Sequence, residues 1–401
     1  MKQKKLMLLG GLRYLIPVIE VAHKLGLYVI TCDYLPDNIA HKYSDEYRNV
    51  SIIDKEAVLK VAQELEIDGI MSFAVDPGVT TAAYVAEQMG LPNVGPYESV
   101  CILQDKARFR DFLRKHGFNC PWSFAFSSVE SALAAAEQFS YPAIVKPTDA
   151  AGSKGVSRID SAEELPAALQ SAFKSSLSGN IIIEEFIEKQ GNTTGSDSFS
   201  VDGKLVFVSY DDQIFDLESA NAYTPSAHIW PSSMPVDKQA ELTSEIQRLI
   251  TLLQMRTTVF NIEARVGTNG KVYIMEVAPR GGGNRLSEVL NMATGVNLID
   301  GAVRAAMGLP VENIRQEEVR GTWTIMMLHA AEEGALDQIE YSALVRECMI
   351  LSDMLVNNGD QVRKFNGAND AIGHIILSLP DRTIIEQIVA DANKHVRVLV
   401  K

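Results

Sequence analysis

The chain has 401 residues, of which 46% are hydrophobic and 22% are charged, and its formal net charge is −14. This length exceeds what one compact core supports, so two or three domains are expected. A charge this negative argues against a nucleic-acid or anionic-membrane partner, because both require a basic surface. No stretch approaches the roughly 20 apolar residues that a membrane helix needs.

The cysteines are far apart and form no CxxC pair: Cys32, Cys101, Cys120 and Cys348. This spacing argues against a disulfide framework or a structural zinc site and indicates a reducing compartment. The first residues imitate a signal peptide, with lysines before the apolar run 6–9, but that run is too short and ends at two glycines. We therefore predict a buried first strand and a cytoplasmic protein.

Residues 1–96 alternate short apolar runs with amphipathic segments. The strand-like runs are 6–9, 28–32 and 69–73, and the helical segments are 17–25, 58–65 and 81–89. Strands that alternate with helices predict a parallel sheet covered on both faces. We therefore expect a doubly wound α/β domain over residues 1–96.

The rest of the chain has a different pattern. Helices are predicted at 105–116 and 128–139, and strands at 122–125, 143–146, 181–186, 205–210, 259–266 and 272–277. Hairpin turns at Asp202-Gly203 and Asn269-Gly270 predict antiparallel sheets with helices on one side. A last region has strands at 321–328 and 374–379 and a helix near 382–394. The predicted domains are therefore 1–96, 97–315 and 316–401.

The hairpin over residues 260–277 is the most informative local feature. With a two-residue turn at Asn269-Gly270, Glu263 lies directly opposite Glu276, and a loop two residues longer would make them diagonal neighbours on the same face. Two opposed carboxylates repel each other, and a divalent cation between them reverses the sign of that interaction. The hairpin is therefore a candidate Mg²⁺ site. The alternative is an exposed edge on which water screens both charges.

A glycine-rich segment follows Glu276 directly: Val-Ala-Pro-Arg-Gly-Gly-Gly-Asn-Arg, residues 277–285. Three glycines allow the backbone to approach a ligand closely, and a helix is predicted to begin near Leu286. A loop of this composition that leads into a helix N-terminus suits an anion. The alternative is a flexible linker.

Two further segments are weaker signals when taken singly. Lys146 ends the apolar run Tyr-Pro-Ala-Ile-Val-Lys-Pro, and the small-residue loop 149–156 follows it. A lysine and loop amides in this order could hold phosphates, although the segment is not a Walker A motif and a plain strand–turn is the alternative. Residues 181–187, Ile-Ile-Ile-Glu-Glu-Phe-Ile, could place amides and a carboxylate against an adenine edge, or be an ordinary strand end.

Together and in this order, the four segments resemble the ATP-grasp superfamily, which includes carboxylate–amine ligases and the biotin carboxylase and carbamoyl phosphate synthetase domains. The resemblance covers essentially the whole chain. It implies an α/β domain, a two-lobed ATP-grasp region with a flap lobe at about 126–205, and a small C-terminal α+β extension. It also implies an ATP-dependent ligase that forms a carbon–nitrogen bond through an acyl phosphate, with ATP and Mg²⁺, or Mn²⁺ in its place. The expected partners are a small-molecule carboxylate and amine, and the expected assembly is a homodimer.

The resemblance assigns roles residue by residue. The implied nucleotide ligands are Lys106 and Lys146, the flap residues Gly152, Ser153 and Gly155, and the adenine hinge Glu184, Glu185 and Ile187. Glu263 and Glu276 would hold the metal, and Arg280 would stabilise charge on the transferred phosphoryl group. Apart from the resemblance, Asn284 and Arg285 beside a predicted helix N-terminus and His228 before a turn are candidate substrate-side residues. The alternative for Arg285 is a surface ion pair.

Two positions depart from the family pattern. Ala278 stands where the family usually has a metal-binding Asn, and the ribose-binding Glu is missing after the hinge, so that either Asp197 substitutes for it or the contact is lost. Both main metal ligands and the phosphate lysines remain, so we keep the prediction of an enzyme. A catalytically silent nucleotide-binding protein is the alternative.

Other interpretations are weaker. A nicotinamide-dependent oxidoreductase is suggested by the N-terminal α/β pattern and Asp33, but the later glycines of GxGxxG are missing after Gly10-Gly11. His374 lies in an apolar strand and is interpreted as a structural histidine with satisfied hydrogen bonds. For Asp211 and Asp212 a solvated turn is favoured over a place in the substrate pocket.

Overall fold

The computed structural model describes residues 3–150, 152–217, 219, 221–367 and 370–401. Its first sheet is parallel throughout, in the order β3-β2-β1-β4, with β1 Lys5–Leu9, β2 Tyr28–Asp33, β3 Glu46–Asn49 and β4 Gly69–Ser72. The flanking helices are α1 Ile16–Lys24, α2 Lys55–Leu65 and α3 Val79–Met89. Leu6 and Leu8 pack with α1, whereas Met7 and Leu9 pack with α2 and α3 on the other face. The predicted doubly wound sheet is confirmed.

Two helices connect this sheet to an antiparallel one, α4 Tyr97–Gln104 and α5 Lys106–Lys115. The second sheet has the order β5-β8-β6-β7, with β5 Ser123–Phe126, β6 Ala143–Pro147, β7 Ser157–Ile159 and β8 Ile181–Glu185. Helices α6 Val129–Ala134 and α7 Leu165–Ser175 cover one face of it. The helix predicted over 128–139 is shorter than expected, because α6 ends at Ala134 and a 3₁₀ turn follows over Ala136–Gln138.

The third sheet carries the central hairpin. Its order is β10-β9-β13-β14, with β9 Thr194–Val201, β10 Lys204–Phe207, β13 Thr258–Val266 and β14 Val272–Ala278. Phe260, Ile262 and Ala264 of β13 pack in the core that also buries α8, Val236–Leu252. The alternation of a strand then places Asn261 and Glu263 on the opposite face. Helices α9 Leu286–Thr294 and α10 Leu298–Ala306 follow the hairpin.

The fourth sheet crosses the predicted boundary at residue 315. It has the order β11-β12-β15-β19-β17, with β11 Asp212–Phe215, β12 Pro225–Trp230, β15 Thr322–Leu328, β17 Met349–Met354 and β19 Gly373–Leu379. Ala227 and Ile229 pack on the side of α12, Arg382–Ala390, whereas Trp230 packs in the core that buries α9. The division into three domains stays a prediction.

The remaining elements complete the C-terminal α+β region. A small antiparallel sheet has the order β18-β16-β20, with β16 Gly334–Tyr341, β18 Gln361–Val362 and β20 Val396–Val400. Helices α11 Ala343–Cys348 and α13 Ala392–His395 accompany it. Within the described residues we find no helix that is both long and apolar enough to cross a membrane.

Candidate active site

Glu263 and Glu276 are direct cross-strand partners in the β13–β14 pair. The register arises differently from the prediction, because Val266 pairs with Val272 and the loop over 268–270 has three residues, not two. A register shift between Glu263 and Ala264 leaves Met275 as an extra residue in β14, and this β-bulge restores the opposed pair. The predicted pairing of the carboxylates is therefore confirmed, whereas the predicted two-residue turn is wrong.

Each of these glutamates has a cation close by. The side chains of Glu263 and Glu276 are 40% and 38% exposed. Lys106 Nζ lies 3.5 Å from Glu276 Oε2, and Arg265 Nη2 lies 3.6 Å from Glu263 Oε1. Lys106 begins α5 and also donates to the carbonyl oxygen of Ala150 at 3.1 Å. The structure therefore brings the first predicted phosphate lysine to the predicted metal site.

Lys146, the second predicted phosphate lysine, is paired with the hinge residue Glu184. Arg110 Nε donates to the other oxygen of Glu184 at 2.8 Å, and both Arg110 and Glu184 are buried. Although burial opposes it, the charges of Arg110 and Lys146 lower the pKa of Glu184 to about 2. Sequence analysis missed Arg110, although it lies one helical turn beyond Lys106 on α5.

The other hinge residues follow at the end of β8. The amide of Glu185 donates to the carbonyl oxygen of Trp122 at 3.0 Å, which anchors the strand end. Ile187 is 5% exposed, and its carbonyl oxygen accepts from Arg265 Nη1 at 3.5 Å. Arg265 thus connects the hinge to the strand that carries Glu263. The roles of Glu185 and Ile187 in adenine binding stay predictions.

The predicted flap loop has left-handed backbone at Gly152, Ser153 and Gly155. Ser153 Oγ donates to the carbonyl oxygen of Tyr223 at 2.8 Å, and Asn221 Nδ2 donates to that of Ser153 at 3.2 Å. Of the predicted loop, Ala151 lies outside the described residues. The loop therefore rests on the segment that precedes β12, and its closure over phosphates stays a prediction.

Arg280 is fixed by an acidic side chain from the 3₁₀ turn Asp76–Gly78 that follows β4. Its Nε and Nη2 donate to Asp76 Oδ1 and Oδ2 at 2.8 and 2.6 Å, and its residue is 8% exposed. Nη1 donates to the carbonyl oxygen of Gly281 at 2.9 Å. A bidentate pair of this kind holds the guanidinium in one orientation. Sequence analysis could not find Asp76, which is 204 residues away in the chain.

Asp197 lies beneath the glycine-rich segment and does not line an open site. It is fully buried and accepts hydrogen bonds from the amide of Gly282 at 2.8 Å, from Asn261 Nδ2 at 3.1 Å and from Ser287 Oγ. Burial raises its pKa above the usual value. The predicted ribose contact has no support in this geometry, because protein donors occupy both carboxylate oxygens. Asp197 instead ties the glycine loop to β13 and α9.

Asn284 and Arg285 directly precede α9 and have positive φ angles of 50° and 58°. Arg285 Nε and Nη2 donate to Asp353 Oδ2 at 3.0 and 2.7 Å, and Nη1 donates to Glu288. Burial raises the pKa of Glu288 to about 7, with Arg285 opposing the rise. The predicted substrate arginine therefore lies in a half-buried cluster that sequence analysis did not assemble.

His374 joins this cluster from β19. Its Nε2 lies 3.3 Å from Asn284 Oδ1, as does the hydroxyl of Tyr14. His374 is fully buried, and burial lowers its pKa to about 4, which keeps it neutral. Its Nδ1 has no hydrogen-bond partner among the described residues, so the prediction of a fully satisfied histidine is wrong.

His228 pairs with Asp211 in the fourth sheet. His228 Nδ1 lies 2.7 Å from Asp211 Oδ2, and both residues are buried. Burial raises the pKa of Asp211, and His228 offsets part of that rise. Asp212 is also buried and accepts from the amide of Ser233 and from Arg382. The prediction of a solvated turn at these two aspartates is therefore wrong.

The donor set at the paired glutamates consists of hard oxygens. Among the residues the structure describes, no group of three or more His, Cys, Asp and Glu side chains could hold a metal. Asn261, however, lies on the same face as Glu263 and directly opposite Ala278. Asn261 donates through Nδ2 to Asp197, which leaves its Oδ1 as a further acceptor. Two carboxylates and one amide oxygen fit a small divalent cation that keeps several waters.

Comparison with known proteins agrees with this geometry. Residues 139–288 match the family model of the ATP-grasp domain. The chain therefore contains an ATP-grasp domain. Formate-dependent phosphoribosylglycinamide formyltransferase from Bacteroides thetaiotaomicron is similar to this ATP-grasp chain, with 25% identity over 336 residues, 82% of this chain and 84% of that protein.

Two further similarities extend beyond the matched domain. The carbamoyl phosphate synthase large chain of Thermotoga neapolitana is 28% identical over 300 residues, which cover 73% of this ATP-grasp chain but 26% of that larger protein. The crystal structure of L-amino acid ligase from Bacillus licheniformis has a TM-score of 0.82 over the full length of both chains, at 21% identity. The predicted fold and the predicted class, an ATP-grasp enzyme, are confirmed.

Proposed function

We propose that this ATP-grasp protein is a ligase that activates a carboxylate as an acyl phosphate and passes the acyl group to an amine. The observation that carries the proposal is the direct pairing of Glu263 with Glu276, with Lys106 3.5 Å from Glu276. Opposed carboxylates beside a lysine would hold a divalent cation, which would supply positive charge against the phosphates. The names of the similar proteins, a formyltransferase, a carbamoyl phosphate synthase and an amino acid ligase, support the same reaction type.

The paired glutamates fit Mg²⁺ in this proposal. Glu263 and Glu276 would hold it, and Asn261 Oδ1 would be a third oxygen ligand from the position opposite Ala278. When bound, Mg²⁺ neutralises charge on the β and γ phosphates of ATP. Asn261 thus offers an amide oxygen that Ala278 cannot supply, which favours an active enzyme over a silent nucleotide-binding protein.

Residues of the chain would neutralise the remaining phosphate charge, exclude water and stabilise the transition state. Lys106 and Lys146 offset phosphate charge, and the loop over 152–155 excludes water from a labile acyl phosphate. Arg280, held by Asp76, presents a fixed positive charge four residues beyond Glu276. A fixed charge lowers the barrier because no reorganisation is needed when the phosphoryl group moves.

Nucleotide binding that depends on Mg²⁺ is the first expected result. Titration calorimetry with a non-hydrolysable ATP analogue should give a dissociation constant at least about tenfold lower with Mg²⁺ than without it, because the paired glutamates repel the phosphates in its absence. Lys146→Gln should weaken binding, whereas Lys174→Gln, an exposed lysine of the same lobe, should not. Absence of binding in both conditions would contradict the assignment.

Trapping with hydroxylamine tests the reaction itself. An acyl phosphate reacts with hydroxylamine to give a hydroxamate, so ATP, Mg²⁺, hydroxylamine and a panel of formate, bicarbonate and the standard amino acids should yield ADP and one hydroxamate. A silent nucleotide-binding protein would bind ATP and release no ADP with any carboxylate. This screen also identifies the carboxylate.

The carboxylate is expected to depend on Arg285. Arg285→Ala should raise KM for the carboxylate found in the screen by about tenfold or more, with kcat less affected, because a positive charge is lost from the proposed binding site. Arg304→Ala is the matched control, since Arg304 also pairs with an acid on its own helix, Asp300. An unchanged KM in Arg285→Ala would show that other groups hold the carboxylate.

A further inference from the structure

The Asp211–His228 pair has the geometry of an oriented base. Asp211 Oδ1 accepts from the amide of Gly195 at 2.6 Å, and Oδ2 lies 2.7 Å from His228 Nδ1. An ionised carboxylate can only accept, so Nδ1 carries a proton, and in a neutral imidazole Nε2 then has the lone pair. No described residue forms a hydrogen bond with that Nε2, and the His228 side chain is 4% exposed.

Strand register places this pair beside the candidate metal site. His228 of β12 pairs with Gln213 of β11, so both side chains share one face of the fourth sheet, the face of Trp230. The amide of Gln213 donates to the carbonyl oxygen of Thr193 at 2.8 Å, which joins this sheet to the start of β9. Two residues after Thr193, Gly195 of β9 is the direct partner of Glu263.

Because Gly195 has no side chain, the side chain of Gln213 fits over β9 next to Glu263. A Cβ atom at Gly195 would lie 2.1 Å from Gln213 Nε2. The side-chain amide of Gln213 therefore occupies the space that a side chain at position 195 would fill, next to Glu263. Gln213 is 7% exposed, and its Oε1 has no hydrogen-bond partner among the described residues. A buried acceptor without a donor is unfavourable unless a ligand supplies the donor.

We propose that His228, oriented by Asp211, is the base that deprotonates the amine substrate, and that Gln213 Oε1 accepts a hydrogen bond from the same amine. The inference rests on the proposed ligase function. In this proposal the amine lies between His228 and the acyl phosphate that forms at Glu263 and Glu276. Asp211 acts through His228 and is a positioning residue.

The amine enters as an ammonium ion and gives one proton to His228 Nε2, which frees the nitrogen lone pair. That lone pair forms the bond to the acyl carbon, and the bond between this carbon and the phosphate oxygen breaks. Inorganic phosphate leaves with the bonding pair. The nitrogen, which is positively charged once it has bonded to the acyl carbon, then loses one more proton to phosphate or water and becomes the neutral amide.

Hydroxylamine separates this step from activation, because it is unprotonated at neutral pH and needs no base. In His228→Asn the amide nitrogen can replace Nδ1 as donor to Asp211, so the carboxylate keeps a partner. We expect His228→Asn to lower amide formation by about a hundredfold or more while hydroxamate formation changes less than about fivefold. The amines used are ammonium chloride and the standard amino acids, with the carboxylate from the hydroxamate screen.

Two variants complete the experiment. Asp211→Asn should also lower amide formation selectively, and it replaces His228→Asn as the deciding variant if that protein does not fold. His23→Gln is the matched control, because His23 forms an exposed pair with Asp45 at 3.0 Å and should change neither product. Equal loss of amide and hydroxamate, or loss of neither, would overturn the base assignment. A wild-type protein that forms no hydroxamate would overturn the ligase function as well.

Discussion

Replacing Glu276 by glutamine is expected to lower ATP turnover by more than about a hundredfold while the protein stays folded. Glutamine keeps the size of the side chain but removes one of two charges that face each other across β13 and β14. The site would bind Mg²⁺ more weakly, and the charge of the phosphates would then be less well neutralised. Turnover is measured as ADP release with the screened carboxylate and hydroxylamine across a range of Mg²⁺ concentrations.

The free energy of unfolding of Glu276→Gln shows whether the loss of turnover is due to unfolding. In the metal-free protein Glu276→Gln removes repulsion from Glu263 and also the contact with Lys106, and each is worth under about 1 kcal/mol at half-exposed positions. The free energy of unfolding should therefore change by less than about 1 kcal/mol. Glu312→Gln, an exposed glutamate, is the control and should alter neither property. Normal turnover of Glu276→Gln at low Mg²⁺ would place the metal elsewhere.

Glu184→Gln is expected to lower the free energy of unfolding by about 3–5 kcal/mol. The change leaves Arg110 and Lys146 buried and without their shared anion. Urea denaturation measures the loss, with Glu137→Gln, an exposed glutamate, as the control. The double variant with Arg110→Met should recover part of the loss, because it removes one of the unpaired cations. A loss below about 1 kcal/mol would show that water reaches this triad.

The same triad determines a pH dependence. Arg110 and Lys146 hold the pKa of Glu184 at about 2, below its ordinary value of 4.5. The lowered pKa means that this stabilisation is complete above about pH 4.5 and is lost as the pH falls toward about 2. Glutamine does not titrate, so the unfolding free energy of Glu184→Gln should fall less steeply over that interval than that of the wild type. Equal slopes would contradict the ion triad.

Much of the fold follows from local patterns in the chain. The alternation of residues 1–96 predicts a doubly wound sheet because the apolar periods of strands and helices are local properties. Strand β9 was missed as a strand, since its residues 194–201 are mostly small and polar, yet seven of its eight residues are buried. Buried polar strands of this kind lack the apolar alternation that marks a strand in sequence.

The order of the motifs and the hairpin that brings Glu263 and Glu276 together could be predicted from the sequence alone, because a hairpin is closed by a few residues. The three-residue loop and the β-bulge at Met275 that set their exact register were not predicted. Lys146 before a small-residue loop suggested a phosphate ligand, the family resemblance added Lys106, and both roles stay predictions. Only the tertiary structure decided which side chains meet across long separations: Arg110 with Glu184, Asp76 with Arg280, and Arg285 with Asp353. It also showed that Asp197 supports the glycine loop and that Asp211 orients His228. These contacts depend on how separate sheets pack together, and local periodicity carries no information about that packing.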